Sequence, residues 1–120
     1  MTPASKLRVV NATRGTVIAD RAAIARSSAE RRTGLLKHSE LPQGEGLWIA
    51  PCECIHTFGM KFPIDAVFLT KKKKVAKIAA ALPRRRLAMA LLADSVLELP
   101  AGTASRTETR IGDQLLFEEA

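Results

Sequence analysis

The segment "PIDAVFLTKKKKVAKIAAAL", Pro63 to Leu82, constrains this chain more than any other. Between Ile64 and Leu69 both alternating sets of side chains are apolar, apart from Asp65. A strand of that kind is buried on both faces, so it belongs inside a covered sheet. Between Val75 and Leu82 the pattern changes. Ala76, Ile78, Ala80 and Leu82 form one apolar set, and Lys77 marks the other, which is the signature of a strand with one wet face. The basic link between the two runs predicts an antiparallel hairpin over 64–69 and 75–82, with Lys71, Lys72, Lys73 and Lys74 at its tip.

The rest of the chain reads as short extended pieces broken by turns. "KLRVVNA" alternates as a strand, and "TRGTVIAD" adds a turn at Gly15 and a second short strand through Val17 and Ile18. "SSAERRTGLL" opens a helix, with Ser27 and Glu30 spaced as a capping box and Leu35 and Leu36 as its anchors on a sheet. "HSELPQGEG" is a loop. "GLWIAPCECI" is extended again, and Pro51 marks an edge, kink or bulge because it donates nothing to a ladder. "PRRRLAMALLAD" fits either a short helix or a mobile loop. "SVLELPAG" and "QLLFE" are strands, with a helical turn and a turn at Gly112 between them. The sum is an α+β, mostly β, barrel-like domain of about seven short strands with two or three helical segments.

A chain of 120 residues suits one domain with one core. No apolar run reaches the length of a membrane span. The apolar stretch near the start is too short for a signal peptide's core, so the chain as written is expected to be cytoplasmic. Two cysteines make no disulfide framework. Residues two apart on a strand lie about 6.6 Å apart, near the upper limit for a disulfide, and reduced thiols suit the cytoplasm. The net charge of +7 is local. No acid lies between Asp65 and Asp94, an interval that holds Lys71 to Lys74, Lys77, Arg84, Arg85 and Arg86.

In this order the motifs resemble the prokaryotic family called domain of unknown function 192. The segments that carry the resemblance are "RRTGLLKHSELPQGEGLWI", "PIDAVFL", "VLELPAG" and "IGDQLLF". They place the family's Gly-Leu at Gly34 and Leu35, its Leu-Pro at Leu41 and Pro42, and its Pro-x-Asp at Pro63 and Asp65. Its Val-Leu-Glu-Leu-x-Ala-Gly falls on Val96 to Gly102, and its late Gly-Asp on Gly112 and Asp113. The resemblance runs from about Leu7 to Phe117. Where the family usually has Trp-Met-x-Asn-Thr, this chain has His56-Thr57-Phe58-Gly59-Met60, and Leu36 stands where Met is usual. The resemblance implies a compact β-rich fold. It implies no activity, because the family is uncharacterised.

Cys52, Cys54 and His56 are spaced two apart, so a straight strand would point them one way. They offer three ligands for zinc or monovalent copper, with Asp65 or a water as a fourth, whereas structural zinc sites use four protein ligands. A thiol enzyme would use Cys54 as nucleophile, His56 as base and Asp65 to orient it. The favoured reading is plainer. Cys52 and Cys54 are small core side chains, His56 caps a loop through backbone carbonyls, and no cofactor is required. Asp65, a carboxylate in an apolar strand, needs partners. It is expected to accept amides from the "HTFGM" loop, with a general base as the functional alternative. Asp113 is read as a turn residue.

The lysines are read as a solvated hairpin tip. Together with Arg84, Arg85 and Arg86 they could contact phosphate, but of Trp48, Phe58, Phe62, Phe68 and Phe117 only Phe68 falls within the basic interval. "RRRLAMALL" could lie on an anionic membrane, with Leu87, Met89, Leu91 and Leu92 below the headgroups; packing onto the barrel is favoured. The expectation is therefore a binding or accessory module for a small ligand or a protein partner, with a cleft near Trp48, His56, Met60 and Asp65. A metal or thiol enzyme and a basic module for nucleic acid or membrane are the alternatives.

Overall fold

A computed structural model describes residues 6–36 and 38–120. Nine strands and two short helices follow in the order β1 (Leu7–Asn11), β2 (Thr16–Ala25), α1 (Ser28–Thr33), β3 (Glu45–Ile49), β4 (Cys54–His56), β5 (Ile64–Leu69), β6 (Val75–Leu82), β7 (Leu87–Met89), β8 (Ser95–Pro100), α2 (Thr103–Arg106) and β9 (Leu115–Glu119). Seven strands form one sheet in the order β6-β5-β8-β3-β2-β1-β9, and β4 and β7 form a separate two-stranded ribbon. Within the large sheet only β2 and β3 run parallel.

The sheet curls into a half-barrel. Its two edge strands, β6 and β9, approach each other at one end. There the Val75 amide donates to the Asp113 carbonyl at 2.9 Å, the Gly112 amide to Val75 at 2.8 Å and the Leu115 amide to Lys73 at 3.0 Å. Those bonds satisfy edge groups that an open sheet would leave bare.

The β5–β6 hairpin forms as the sequence predicts, with 64–69 antiparallel to 75–82. Every residue of β5 is buried, and its two faces serve two cores. Ile64, Ala66 and Phe68 pack with Leu35, Leu47, Ile49, Ile55, Met60 and Val96. Val67 and Leu69 pack with Val9, Ile18, Leu97, Leu99 and Leu115 on the other face.

Helix α1 carries the expected capping box. Ser27 accepts the Glu30 amide and Glu30 accepts the Ser27 amide. The helix stops at Gly34, whose φ of 48° suits glycine, and Leu35 is buried beneath it.

The sequence reading departs from the structure in three elements. Strand β2 runs for ten residues, well beyond the short strand expected through Val17 and Ile18, because Ala22, Ala23 and Ile24 pair with β3. The segment 84–93 is neither helix nor loop. Its centre is β7, which pairs with β4 and buries Ala88 between exposed Leu87 and Met89. Nine strands replace the expected seven, and β4 and β7, three residues each, account for the excess.

Candidate functional site

Between α1, the end of β3, β4 and β8 lies a pocket of about 670 Å³. Its apolar lining includes Leu35, Leu36, Ile49, Ile55 and Met60, and its polar lining includes Arg31, Cys52, Cys54, His56 and Glu98. The position of Glu98 follows from the ladder. It pairs with Leu47 of β3 and Ala66 of β5, so its side chain lies on the face of those two core residues. Gly34 stands over it, since a Cβ at Gly34 would come within 3.9 Å of Glu98 Oε1.

Glu98 is 3% exposed, and its Oε1 has no hydrogen-bond partner among the described residues. Burial therefore pushes its pKa up to about 7. Cys52 is half-buried and donates its thiol to the Cys54 carbonyl at 3.3 Å. Burial pushes the Cys52 thiol up, and the charge of Glu98 adds to the rise. A thiol raised in this way is a poor nucleophile. A buried carboxylate near neutrality is suited to exchange a proton or accept a donor.

The structure splits the expected cleft. His56 and Met60 line the pocket, while Trp48 and Asp65 do not. Trp48 packs with the opposite core, edge-on to Phe117 at 4.8 Å, and Lys73 Nζ sits 4.9 Å from its ring centre. Lys73 is therefore half-buried against aromatic rings, the one lysine of the four that departs from the reading of a solvated hairpin tip. Lys71, Lys72 and Lys74 are exposed, as are Arg84, Arg85 and Arg86.

Asp65 is an acceptor of buried amides, as expected, but of different ones. Its Oδ1 accepts from Ala81 at 2.8 Å and Gly102 at 3.2 Å, and its Oδ2 accepts from Ala104 at 2.8 Å. It thereby caps α2, whose own cap residue, Gly102, has no side chain. The "HTFGM" loop is pinned instead by Thr57. Thr57 donates its hydroxyl to the Pro83 carbonyl at 2.6 Å and accepts the Arg86 amide at 2.9 Å. His56 is exposed, with its ring centre 5.9 Å from that of Phe58, and makes no loop-capping bond among the described residues.

Cys54 is exposed and not a core residue, because the register of β4 turns Ile55 inward instead. Among the described residues no three His, Cys, Asp or Glu side chains gather as a metal would require. Asp113 does more than close a turn. It is buried and accepts from Asn11, Arg14 and the Arg110 amide at 2.9–3.0 Å. Burial alone would raise its pKa, but these bonds outweigh it and hold the carboxyl low.

Sequence reasoning missed Glu98, although its signal was present: "SVLELP" sets one acid among apolar residues, as "PIDAVFL" does. Thr57 carries no comparable signal.

Among the described residues no helix is long and apolar enough to cross a membrane. None of the curated proteins matches this chain. Two crystal structures share its fold. A protein of unknown function from Novosphingobium aromaticivorans DSM 12444 is 26% identical with a TM-score of 0.80, over 92% of this chain and 83% of that one. A protein of Sinorhizobium meliloti 1021, named as a candidate transcription regulator, is 20% identical with a TM-score of 0.82, over 94% and 92%. The second likeness concerns the fold alone. The profile of the DUF192 family, described as "Uncharacterized ACR", matches residues 9–117, and the chain belongs to that family.

Proposed function

We propose that this chain is a single-domain, cytoplasmic binding module, and that its pocket takes a small molecule with an apolar body and a hydrogen-bond donor, best a protonated amine. One observation carries the reading: Glu98 Oε1 is buried without a partner among the described residues, beside an apolar-lined cavity. An unpaired buried acceptor costs about 1–3 kcal/mol, and a ligand donor would recover that. Arg31, Cys54 and His56 line the same pocket and give its wall polar contacts. The single-domain reading is supported by two cores that share one sheet, and the cytoplasmic one by two free thiols.

Hexylamine is a suitable probe. Followed by amide NMR, it is expected to shift Gly34, Cys52, Met60 and Glu98, and to lose affinity in Glu98→Gln and below the pKa of Glu98. A titration that moves none of these amides, or moves them equally in the variant, sinks the reading.

A further inference from the structure

Of the eight exposed large apolar side chains among the described residues, five lie on or beside the β4–β7 ribbon: Phe58 (51%), Leu87 (69%), Met89 (52%), Leu91 (85%) and Leu92 (83%). Ile55 and Ala88 turn inward as a cross-strand pair, so Leu87 and Met89 face outward opposite His56 and Cys54. The ribbon then ends in a turn closed by the Ala93 amide on the Ala90 carbonyl at 3.1 Å. Leu91 and Leu92 occupy its two central positions. Turn geometry favours Gly, Pro, Asn or Asp there, so backbone demand does not explain two bare leucines.

The cations that adjoin these residues include Lys77, whose Nζ donates to the Met89 carbonyl at 2.8 Å, and three arginines. Arg84, Arg85 and Arg86 are all exposed, and none pairs with a carboxylate among the described residues. The adjoining acids are Asp94, just after the turn, and Glu53, whose carbonyl accepts the Ala90 amide at 3.0 Å. Cations at one end of β7 and bare leucines in the turn at its other end match a surface that is anionic outside and apolar just beneath. Nucleic acid is a weaker fit, because it rewards stacking rings, and here the exposed aromatic rings are only Phe58 and His56 among the described residues, beside three leucines and a methionine.

We infer that the β4–β7 ribbon docks on an anionic lipid surface, with Leu91 and Leu92 in the acyl boundary and Arg84, Arg85 and Arg86 among the headgroups. Each arginine near such a surface is worth about a fivefold gain in partitioning, and each inserted leucine about tenfold.

The experiment is co-sedimentation with vesicles of phosphatidylcholine, with and without phosphatidylglycerol. Partitioning should be at least about tenfold stronger on the anionic vesicles and should weaken with salt. Replacing the three arginines by Gln should lower it about 100-fold. Leu91→Ser with Leu92→Ser should lower it more than about tenfold while leaving the melting curve unchanged, since both side chains are exposed. In Leu91→Trp, anionic vesicles should shift the new emission to the blue. The inference is overturned if wild type binds neither vesicle or both equally, or if the leucine variant binds as wild type does. It is also overturned if a short single-stranded RNA is bound as tightly as the vesicles and equally well by the wild type and the leucine variant.

Discussion

Asp65 and Glu98 sit one step apart on neighbouring strands and face opposite ways. Asp65 pairs with Leu99, which lies in one core, and Glu98 pairs with Ala66, which lies in the other. Both carboxylates are buried. Asp65 has three backbone donors, while one oxygen of Glu98 has none among the described residues. A buried carboxylate with a full set of donors stabilises the fold around it. One with an empty valence is a cost that persists only where something offsets it. The same chemical signal in two strands therefore marks a structural role and a candidate functional one.

The structural role predicts that Asp65→Ala destabilises the protein by about 1–3 kcal/mol, because it leaves buried amides unpaired and uncaps α2. Asp65→Asn should be milder, since one oxygen remains to serve Ala81 and Gly102. Urea melts of the three proteins check both. An unchanged midpoint in the alanine variant would remove the capping argument.

The candidate functional role predicts a pH signature. The Glu98 pKa rises from 4.5 to about 7 on folding. The folded state thus holds a proton that the unfolded state has released between these values, and stability falls as pH rises through this window. A shift of that size corresponds to about 3 kcal/mol lost by pH 7 and above. Glu98→Gln carries no charge, so it should flatten the slope and be the more stable protein on the alkaline side. Denaturation midpoints across the window decide the matter, and parallel curves would show that Glu98 does not titrate there.

How far the sequence reveals these two roles depends on distance along the chain. The β5–β6 hairpin and the α1 capping box were legible because their determinants lie within a few residues of each other. That Asp65 needs amides was legible as well. Which amides it takes was not, since they come from residues 16, 37 and 39 positions away. Likewise, "PRRRLAMALLAD" carries no β-branched residue, and only pairing with β4 makes 87–89 a strand. Glu98 was overlooked because it lay inside a segment already explained as a strand. The pocket above it joins α1, β4 and β8, which no local pattern connects.

Lys73 offers a test of the hairpin tip. Its φ of 67° is a left-handed conformation, and its ammonium lies over Trp48 and Phe117, 4.9 and 5.7 Å from their ring centres. Lys73→Ala keeps the same backbone demand and removes the cation, so a loss of about 0.5–1 kcal/mol is expected. Trp48 is the single tryptophan, and its emission should change in this variant. Lys71→Ala and Lys72→Ala should leave both stability and emission as they were. Equal effects from all three would mean general charge rather than a stacked cation.

The cysteines test the pocket wall without a ligand. Cys54 is exposed on β4, and Cys52 is half-buried with its thiol donated to the Cys54 carbonyl. Burial also pushes the Cys52 thiol up, so less of it is thiolate at any given pH. A disulfide reagent should therefore label the native protein in two phases of equal amplitude, the slow one at least about tenfold slower. Cys54→Ser should remove the fast phase and Cys52→Ser the slow one. Glu98→Gln should quicken the slow phase, because the nearby charge that disfavours the thiolate is gone. If the slow phase keeps its rate in that variant, Glu98 and Cys52 are not electrostatic neighbours, and the pocket's two buried polar groups act independently.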